Sequence, residues 1–421
     1  MQRPEPVDFL LVGGGLASAT AAETLRRHGA RGRIAVVGAE PELPYNRPPL
    51  SKDFLRGETP KEEIAVQPAA FYRDQDIELL TGHTVEAVDP EARTVRLHTG
   101  EVLPYRRLLL ATGASLRLLP VPGAELGEVF YLRTVADSQR IQAAARAHRT
   151  AVVVGGGFIG AEVAASLTQM GLRVTIVELQ SILWAHLFGD EMGRYFHQAL
   201  ADRGVTIVTE DEVAGLESQD GTVSTGERVS AVITKKGKVL PAEMVVIGIG
   251  VDPETSLAID AGLQVDRGVL VDEHMRTSRP DVYAAGDCIN FYHPLYNQRL
   301  HVEHWQNAID TGEVAALNML GQETPIRRAP YFYSDLFDVG MEYLGHAPQW
   351  EDLILRGRPE EGSFGAYYVH EGRIVAALHV NNFDETDAAR ALVEAKVPAA
   401  GIAGRLADRS VPLASLAPAA S

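Results

Sequence analysis

The sequence predicts an α/β protein with two Rossmann-like domains, each a three-layer ββα unit, and a small α+β domain at the C-terminus. Three observations support this prediction. A strand, a glycine-rich turn and an Ala-rich helix follow one another from Phe9 to Arg27. The same order returns from Ala151 to Met170. From Gln322 onward the pattern changes to short aromatic strands and one helix, which is typical of an α+β domain.

The first glycine-rich turn has the residues and spacing of a dinucleotide-binding loop. Gly13 permits the tight turn after the strand, and Gly15 lets the backbone approach a pyrophosphate group. The N-terminus of the following helix offers free N–H groups and a positive dipole to phosphate groups. Ser18 stands at the third small position of the G-x-G-x-x-G pattern. A single match of this kind is weak evidence, because similar turns occur in proteins that bind no nucleotide.

The second turn, Gly155 to Gly160, has the complete G-x-G-x-x-G pattern. Each copy leads to a strand and then to an acidic residue. Glu40 lies 22 residues beyond Ser18, and Glu178 lies 18 residues beyond Gly160. These distances are close to the spacing at which a carboxylate meets an adenosine ribose. Because the loop and the acid both repeat in the same order, the sequence predicts two dinucleotide sites.

Composition excludes several classes of partner. The formal net charge of −17 argues against nucleic acid or an anionic membrane as the main partner. No signal peptide is visible at the start of the chain, and the apolar runs are too short to span a bilayer, so we expect a cytoplasmic protein. The single cysteine, Cys288, excludes an internal disulfide and any C-x-x-C redox pair, and no metal-ligand cluster is apparent.

Two further stretches carry a resemblance to a known family. The two loops followed by Asp281 to Asp287 resemble the two-dinucleotide flavoproteins, with FAD in the first unit and NAD(P)H in the second. Arg47 to Lys52, Arg-Pro-Pro-Leu-Ser-Lys, is similar to one branch of the FAD-dependent pyridine nucleotide-disulfide oxidoreductases. That branch holds the oxygenase-coupled ferredoxin reductases and the apoptosis-inducing-factor-like proteins, and it lacks a redox disulfide.

The resemblance implies a discontinuous FAD-binding domain. We expect its first part over residues 1–117 and its second part over 247–321. An NAD(H)-binding domain is expected over 118–246, and a C-terminal α+β domain over 322–421.

The resemblance also implies two sets of cofactor contacts. The FAD contacts would be Gly13, Gly14, Gly15, Leu16, Ala17, Glu40, Arg47, Lys52, Val85, Arg117, Asp287, His304 and Trp305. The contacts to the nicotinamide dinucleotide would be Gly156, Gly157, Phe158, Ile159, Glu178, Gly250 and Glu303. The family usually has Phe-Trp-Ser-Asp where this chain has Phe-Tyr-Ser-Asp. Tyr333 keeps an aromatic ring beside the flavin. The change from Trp to Tyr leaves open the geometry of electron exit and the choice of protein partner.

Lys52 and Glu162 are the residues predicted to act at the flavin. A lysine beside flavin N5 and O4 would favour the anionic reduced form, and a buried lysine keeps its charge only when it is paired. Glu162, just after the second glycine loop, is the predicted partner. The alternative is a surface lysine and a glutamate stabilised by the helix dipole. Glu162 alone does not separate these hypotheses, whereas the position of Lys52 within Arg-Pro-Pro-Leu-Ser-Lys favours the first.

The segment Glu303, His304 and Trp305 lies at the start of a helix predicted over His304 to Leu320. A helix N-terminus aimed at flavin N1 and O2 would stabilise the negative charge that develops on reduction. The alternative makes Glu303 an N-terminal acid that matches the helix dipole, His304 a surface residue and Trp305 a core residue. Asp287 is predicted to bond the ribityl chain, with turn capping as the alternative. Cys288, which has no resolving partner, is interpreted as a packing residue.

The predicted function is electron transfer from NADH through FAD to a protein acceptor. A carboxylate at Glu178 accepts a hydrogen bond from a ribose 2′-hydroxyl and repels a 2′-phosphate, and Leu179 to Leu183 contains no cation to offset that repulsion. NADH is therefore expected to be preferred over NADPH. We expect a [2Fe–2S] ferredoxin as acceptor, serving an oxygenase, and a monomer or homodimer. The alternatives are an NADH oxidase or diaphorase, and an apoptosis-inducing-factor-like redox sensor that binds another protein.

Overall fold

The structure is a computed structural model that describes residues 5–219 and 226–417. In the first half of the chain the strands are β1 (Val7–Val12), β2 (Ile34–Gly38), β3 (Ile77–Thr81), β4 (Val85–Asp89), β5 (Thr94–Leu97), β6 (Val102–Leu110), β7 (Ala114–Leu116), β8 (Val129–Tyr131), β9 (Thr150–Val154), β10 (Arg173–Val177) and β11 (Thr206–Val208). In the second half they are β12 (Val213–Ser218), β13 (Val229–Thr234), β14 (Val239–Pro241), β15 (Met244–Ile247), β16 (Val251–Pro253), β17 (Val269–Val271), β18 (Val282–Ala284), β19 (Ile289–His293), β20 (Gln298–Leu300), β21 (Tyr331–Leu336), β22 (Val339–Gly345), β23 (Asp352–Arg356), β24 (Phe364–His370) and β25 (Arg373–Val380).

The α-helices are α1 (Leu16–Arg27), α2 (Asp53–Arg56), α3 (Ala69–Asp74), α4 (Val135–Ala147), α5 (Phe158–Gln169), α6 (Ala185–Asp202), α7 (Ser256–Asp260), α8 (Trp305–Met319), α9 (Thr386–Glu394) and α10 (Ala403–Ala407). None of these helices is long and apolar enough to cross a membrane. The sequence predicts the second helix over Ala161 to Met170, whereas helix α5 begins at Phe158, three residues earlier, because Gly157 of the glycine turn is its N-cap.

The described residues divide into two compact units. Unit 1 contains residues 5–46, 62–115 and 252–332. Unit 2 contains residues 47–61, 116–219, 226–251 and 333–417. The segment 47–61 therefore groups with unit 2, a grouping that the sequence did not predict. The domain boundaries expected for cofactor binding stay predictions.

Unit 1 is built around a sheet with the order β3-β2-β1-β6-β5-β4, and β18 also pairs with β6. Strand β1 runs parallel to both β2 and β6, with Leu10 opposite Ala35 and Leu108. These central residues are fully buried, as expected for a parallel strand covered on both faces. Each fully buried Leu contributes about 1.5–3 kcal/mol to folding, so the loop after β1 follows a strand that is well stabilised.

Unit 2 repeats that plan and adds two antiparallel sheets. Its parallel sheet has the order β11-β10-β9-β15-β8, so β9 lies between β10 and β15 as β1 lies between β2 and β6. A three-stranded sheet, β12-β13-β14, forms the antiparallel excursion. The C-terminal residues form an antiparallel sheet, β21-β22-β25-β24-β23, packed with α9.

The predicted α/β class, with two Rossmann-like units and a C-terminal α+β domain, is confirmed. The apolar run from Met244 to Val251 contains β15 and the start of β16. Gly250, with φ at +98°, separates the two strands because this left-handed conformation is accessible to glycine.

Candidate functional site: two glycine loops and a buried ion pair

The loop after β1 has the backbone geometry of a phosphate-binding turn. Gly13 has φ at +121°, and a Cβ atom there would lie 2.0 Å from the carbonyl oxygen of Ala111, so only glycine fits. A Cβ atom at Gly15 would meet no described atom within 4 Å. Gly15 is the N-cap of α1, which begins at Leu16. The first N–H groups of an α-helix have no acceptor within the helix, and the space beside Gly15 is open, as anion binding requires.

Other predicted FAD residues also lie in unit 1. The hydroxyl of Tyr45 donates a hydrogen bond to Oε2 of Glu40 at 2.6 Å. Asp287 lies in a 3₁₀ turn at Gly286–Cys288, and a Cβ atom at Gly286 would lie 3.3 Å from that of Ala17. Asp287 thus lies in the turn packed against the start of α1. Val85, at the start of β4, is buried in the core of unit 1.

The start of α8 supplies two further predicted residues. His304 is the N-cap of α8, and its ring lies 4.4 Å from that of Phe332. The indole Nε1 of Trp305 donates to Oδ1 of Asn46 at 2.8 Å. Burial lowers the pKa of His304 to about 4, so the ring is neutral at neutral pH. Within 5–219 and 226–417, Nδ1 of His304 is buried without a hydrogen-bond partner. The His304 side chain is thus half-buried with Nδ1 inside the protein, and its predicted role stays a prediction.

The residues of unit 1 fit a bound dinucleotide by these criteria. A ligand could fill the open space beside Gly15 and supply a hydrogen-bond partner for Nδ1 of His304. Glu303, predicted to contact the nicotinamide dinucleotide, also lies in this unit, with Oε1 at 2.9 Å from Nε2 of His301. This contact raises the pKa of His301.

The loop after β9 repeats this geometry in unit 2. Gly155 has φ at +96°, and a Cβ atom there would lie 2.4 Å from the carbonyl oxygen of Gly248. A Cβ atom at Gly160 would lie 2.0 Å from the carbonyl oxygen of Gly155, which explains the third glycine of the pattern. At Gly157, the N-cap of α5, a Cβ atom would meet no described atom within 4 Å.

The remaining predicted dinucleotide residues flank this second loop. The carboxylate of Glu178 accepts two backbone N–H groups, from Gly156 at 2.7 Å and from Gln180 at 2.9 Å. Ile159, in the first turn of α5, is 47% exposed. The N–H of Arg117 donates to the carbonyl of Gly250 at 3.1 Å. Glu178 is thus fixed at the loop while its carboxylate remains half-buried.

Lys52 and Glu162 form an ion pair inside unit 2. Nζ of Lys52 lies 3.1 Å from Oε1 of Glu162 and 3.6 Å from Oδ2 of Asp335. The Lys52 side chain is 12% exposed and that of Glu162 is 4% exposed, so neither is a surface residue. Burial disfavours the charged ammonium, but attraction by Glu162 and Asp335 outweighs it and raises the pKa of Lys52. Lys52 is therefore a fixed cation.

Three residues that sequence reasoning did not select complete this cluster. The hydroxyl of Ser51 donates to Oε2 of Glu162 at 2.5 Å, and that of Ser334 donates to Oε1 at 2.7 Å. Asp335 is the third. All three lie within motifs already singled out, next to Lys52 and Tyr333, so their position in those motifs was an available signal.

Tyr333 and Arg47 also lie in unit 2. Nζ of Lys52 is 4.7 Å from the ring centroid of Tyr333, a cation–π contact. The guanidinium of Arg47 donates to the carbonyl of Arg133. A pocket of about 380 Å³ adjoins this cluster, lined by Pro48, Pro49, Lys52, Asp53, Arg56, Ala165, Ser166, Gln169, Tyr333, Asp335 and Phe337. The predicted FAD contacts are thus divided between the units, with Arg47, Lys52, Arg117 and Tyr333 in unit 2.

Cys288 has the environment of a packing residue. Its side chain is fully buried, and burial raises the pKa of the thiol. The Sγ atom lies 3.4 Å from the carbonyl oxygen of Ala285. Among the described residues, no group of three or more His, Cys, Asp or Glu side chains is placed to hold a metal ion.

Comparison with known proteins identifies the family. The pyridine nucleotide-disulphide oxidoreductase family matches residues 7–312, and the reductase C-terminal family matches residues 331–417. The chain belongs to the pyridine nucleotide-disulphide oxidoreductases. Within this family its relatives are ferredoxin reductases and apoptosis-inducing factor 3, so the predicted branch is confirmed. The chain is an oxidoreductase of a family that uses a flavin and a nicotinamide cofactor.

Three relatives illustrate this branch. A ferredoxin–NAD(P)(+) reductase of Sphingomonas sp is 37% identical over 92% of this chain and 93% of its own length. Putidaredoxin reductase of Pseudomonas putida is 33% identical over 98% of this chain and 97% of its own length. Human apoptosis-inducing factor 3 is 37% identical over 89% of this chain, which spans 61% of that protein.

Solved structures of relatives share the fold. The reductase in the covalent putidaredoxin reductase–putidaredoxin complex superposes with a TM-score of 0.92, at 33% identity, over 97% of this chain and 98% of its own. A ferredoxin reductase of Rhodopseudomonas palustris also gives 0.92, at 33% identity, over 98% of this chain and 100% of its own.

Proposed function

We propose that this chain is an NADH-dependent flavoprotein reductase that passes electrons from NADH, through FAD, to a [2Fe–2S] ferredoxin serving an oxygenase. The observation that carries the proposal is the repeated glycine loop, present once in each unit with an open backbone position, at Gly15 and at Gly157. FAD, when bound, accepts a hydride from a nicotinamide and releases electrons one at a time.

We assign the loop of unit 1 to FAD. The first turn of α1 would hold the pyrophosphate through its N–H groups, and Glu40 would accept hydrogen bonds from the adenosine ribose. His304 is neutral, so its Nδ1 would make a polar contact without adding a charge. Arg47, Arg117 and Tyr333 stay predicted contacts on the resemblance alone.

We assign the loop of unit 2 to NADH. Glu178 is tied to the loop by the N–H groups of Gly156 and Gln180. A carboxylate fixed in this position favours a ribose 2′-hydroxyl and repels a 2′-phosphate. We expect kcat/KM for NADH to exceed that for NADPH by about a hundredfold. A higher kcat/KM with NADPH would contradict the assignment.

Lys52 acts through its fixed positive charge. Glu162 and Asp335 hold the ammonium in the protonated state, so Lys52 would stabilise negative charge at the flavin rather than transfer a proton. Ser51 and Ser334 orient the Glu162 carboxylate and satisfy both of its oxygens. The cluster therefore holds the Lys52 ammonium in a single position.

The proposed acceptor is supported by the relatives, several of which are named as ferredoxin reductases. With a single, buried cysteine the chain has no dithiol that would take electrons from the flavin, so they must leave it directly. The cytoplasmic location and the oligomeric state stay predictions.

An acceptor panel tests the proposal. Holoenzyme reduced with NADH in a stopped-flow instrument is mixed with a [2Fe–2S] ferredoxin, with a quinone or with oxygen. We expect reoxidation by ferredoxin to be the fastest of the three. Faster reoxidation by oxygen or quinone would favour an oxidase or diaphorase. Slow reoxidation by all three acceptors would favour a redox-sensing binding protein.

A further inference from the structure

Trp184 occupies an unusual position beside the second glycine loop. It lies between β10 and α6, its backbone φ is 60°, and its side chain is 2% exposed. The left-handed region is disfavoured for a bulky residue, and such a conformation persists only where the surroundings hold it. The residues that surround Trp184 must therefore hold this conformation in place.

One hydrogen bond connects Trp184 to the loop. The indole Nε1 donates to the carbonyl oxygen of Gly156 at 2.9 Å. The N–H of the same Gly156 donates to Oε2 of Glu178 at 2.7 Å. Both backbone polar groups of Gly156 are thus held by side chains, one acidic and one aromatic.

Packing immobilises the indole. Its ring lies 4.7 Å from that of Phe158 and 4.9 Å from that of Phe196. Phe158 is the first residue of α5, so Trp184 contacts the residues on both sides of Gly157. Gly157 itself is the residue beside which the space is open. The two neighbours of the open residue are therefore fixed by one side chain.

We propose that Trp184 is a positioning residue for the pyridine nucleotide. By holding Gly156 and Phe158, the indole keeps the N-terminus of α5 in its binding conformation before the ligand arrives. A ligand that meets an ordered loop loses less free energy to ordering, so it binds more tightly. The inference rests on the proposed assignment of this loop to NADH.

The test is binding of ADP-ribose, which lacks the nicotinamide and is not a hydride donor. Calorimetric titration of the oxidised holoenzyme compares wild type with Trp184→Phe, which keeps an aromatic ring and removes the N–H donor. We expect ADP-ribose to bind the variant about fivefold more weakly, the size of one hydrogen bond. The KM for NADH should rise by a similar factor, while the KM for ferredoxin stays unchanged.

Trp350→Phe is the matched control. Trp350 is half-buried in the same unit and packs against Tyr368, at 5.1 Å between ring centroids. We expect this variant to bind ADP-ribose as wild type does. Equal loss in both variants, or an unchanged affinity in Trp184→Phe, would overturn the role of Trp184. Failure of wild type itself to bind ADP-ribose would instead overturn the proposed function.

A second measurement applies if Trp184→Phe does not fold. In ¹⁵N-tryptophan-labelled protein the chain gives three indole signals, and Trp305→Phe and Trp350→Phe assign two of them. Before any ligand is added, the remaining signal, from Trp184, should exchange with solvent much more slowly than that of Trp350, because its hydrogen bond to Gly156 already exists. Equal exchange of the two indole signals in the ligand-free protein would overturn the inference.

Discussion

The two glycine loops share a backbone design and differ in what packs against them. In unit 1 the N–H of Gly13 donates to the carbonyl of Val37 at 2.8 Å, and in unit 2 that of Gly155 donates to Val177 at 2.9 Å. Each loop therefore crosses to the neighbouring parallel strand in the same way. The repeat is a repeat of hydrogen bonds as well as of sequence.

The first loop packs mainly against backbone. A Cβ atom at Gly14 would lie 3.0 Å from the Cα atom of Gly38, and one at Gly312 in α8 would lie 2.5 Å from the carbonyl oxygen of Ala17. Such close approaches leave no room for a side chain to adjust. We infer that the first loop is a rigid binding site, which suits a cofactor that stays bound.

The second loop packs against backbone at Gly155, where a Cβ atom would lie 2.4 Å from the carbonyl oxygen of Gly248, but against side chains at Gly156. Glu178, Leu183 and Trp184 all lie at Gly156, with Leu183 Cδ2 only 2.3 Å from a Cβ atom built there. The helices differ as well, since Glu162 of α5 is buried in an ion pair whereas the corresponding residue of α1 is Thr20. Side chains are easier to vary than backbone, so the second loop is the one whose ligand preference substitutions can tune.

Removal of the Lys52 cation should give the largest effect. Lys52→Ala leaves Glu162 buried without a counter-charge, which we expect to cost about 3–5 kcal/mol of unfolding free energy. Flavin reduction by NADH should slow by about a hundredfold, because a fixed positive charge is lost. Urea denaturation and stopped-flow absorbance measure the two effects.

Lys235→Ala is the control for that variant. Lys235 pairs with Glu212 at 2.7 Å, but both side chains are exposed. Its loss should change neither the stability nor the reduction rate measurably. Wild-type flavin reduction in Lys52→Ala would contradict the assigned role of the ion pair.

Gly13→Ala tests the stiffness of the first loop. The new Cβ atom would meet the carbonyl of Ala111 at 2.0 Å in a backbone conformation that alanine rarely adopts. We expect a loss of about 3 kcal/mol in the stability of the FAD-free protein. Gly15→Ala, where the Cβ atom enters open space, should unfold at nearly the wild-type temperature. Similar unfolding temperatures for wild type and the two variants would contradict a rigid first loop.

Acid should weaken unit 1 through His304. The pKa of His304 is about 4 in the folded protein and near 6.5 in the unfolded chain, so the unfolded state binds the proton more readily. The stability due to the neutral ring is complete above pH 6.5 and is lost as pH falls toward 4. We expect a loss of about 2 kcal/mol over this interval. His304→Phe should show a shallower pH dependence of unfolding, and an identical one would contradict this account.

Glu178→Gln should give the smallest effect and test the second loop. The amide oxygen still accepts one of the two backbone N–H groups that Glu178 binds, while its NH2 group cannot accept the other, and the charge that repels a 2′-phosphate is removed. The preference for NADH over NADPH should therefore narrow by about tenfold, with flavin content unchanged. Steady-state kcat/KM for both donors measures it, and an unchanged ratio would show that Glu178 does not select the donor.

The sequence was sufficient where the deciding residues are local or where one motif supplies a well-defined partner. The glycine loops are of this kind. The pairing of Lys52 with Glu162 spans 110 residues and was predicted from the family resemblance, together with the need of a buried lysine for a counter-charge. The sequence was insufficient for other contacts between distant segments. Ser51 and Ser334 lie 111 and 172 residues from Glu162 along the chain, so no spacing rule connects them. The conformation of Trp184 likewise depends on tertiary packing that overrides its local preference.

The most direct test of the two-loop account places the same side chain in both loops. Gly15 and Gly157 have negative φ values and open space at Cβ, so valine should disturb the ligands more than the fold. Flavin absorbance per protein and the KM for NADH are measured for each variant. We predict that Gly15→Val purifies without FAD, and that Gly157→Val retains FAD while its KM for NADH rises at least about tenfold. Loss of FAD from Gly157→Val, or full FAD in Gly15→Val, would contradict the assignment of the loops.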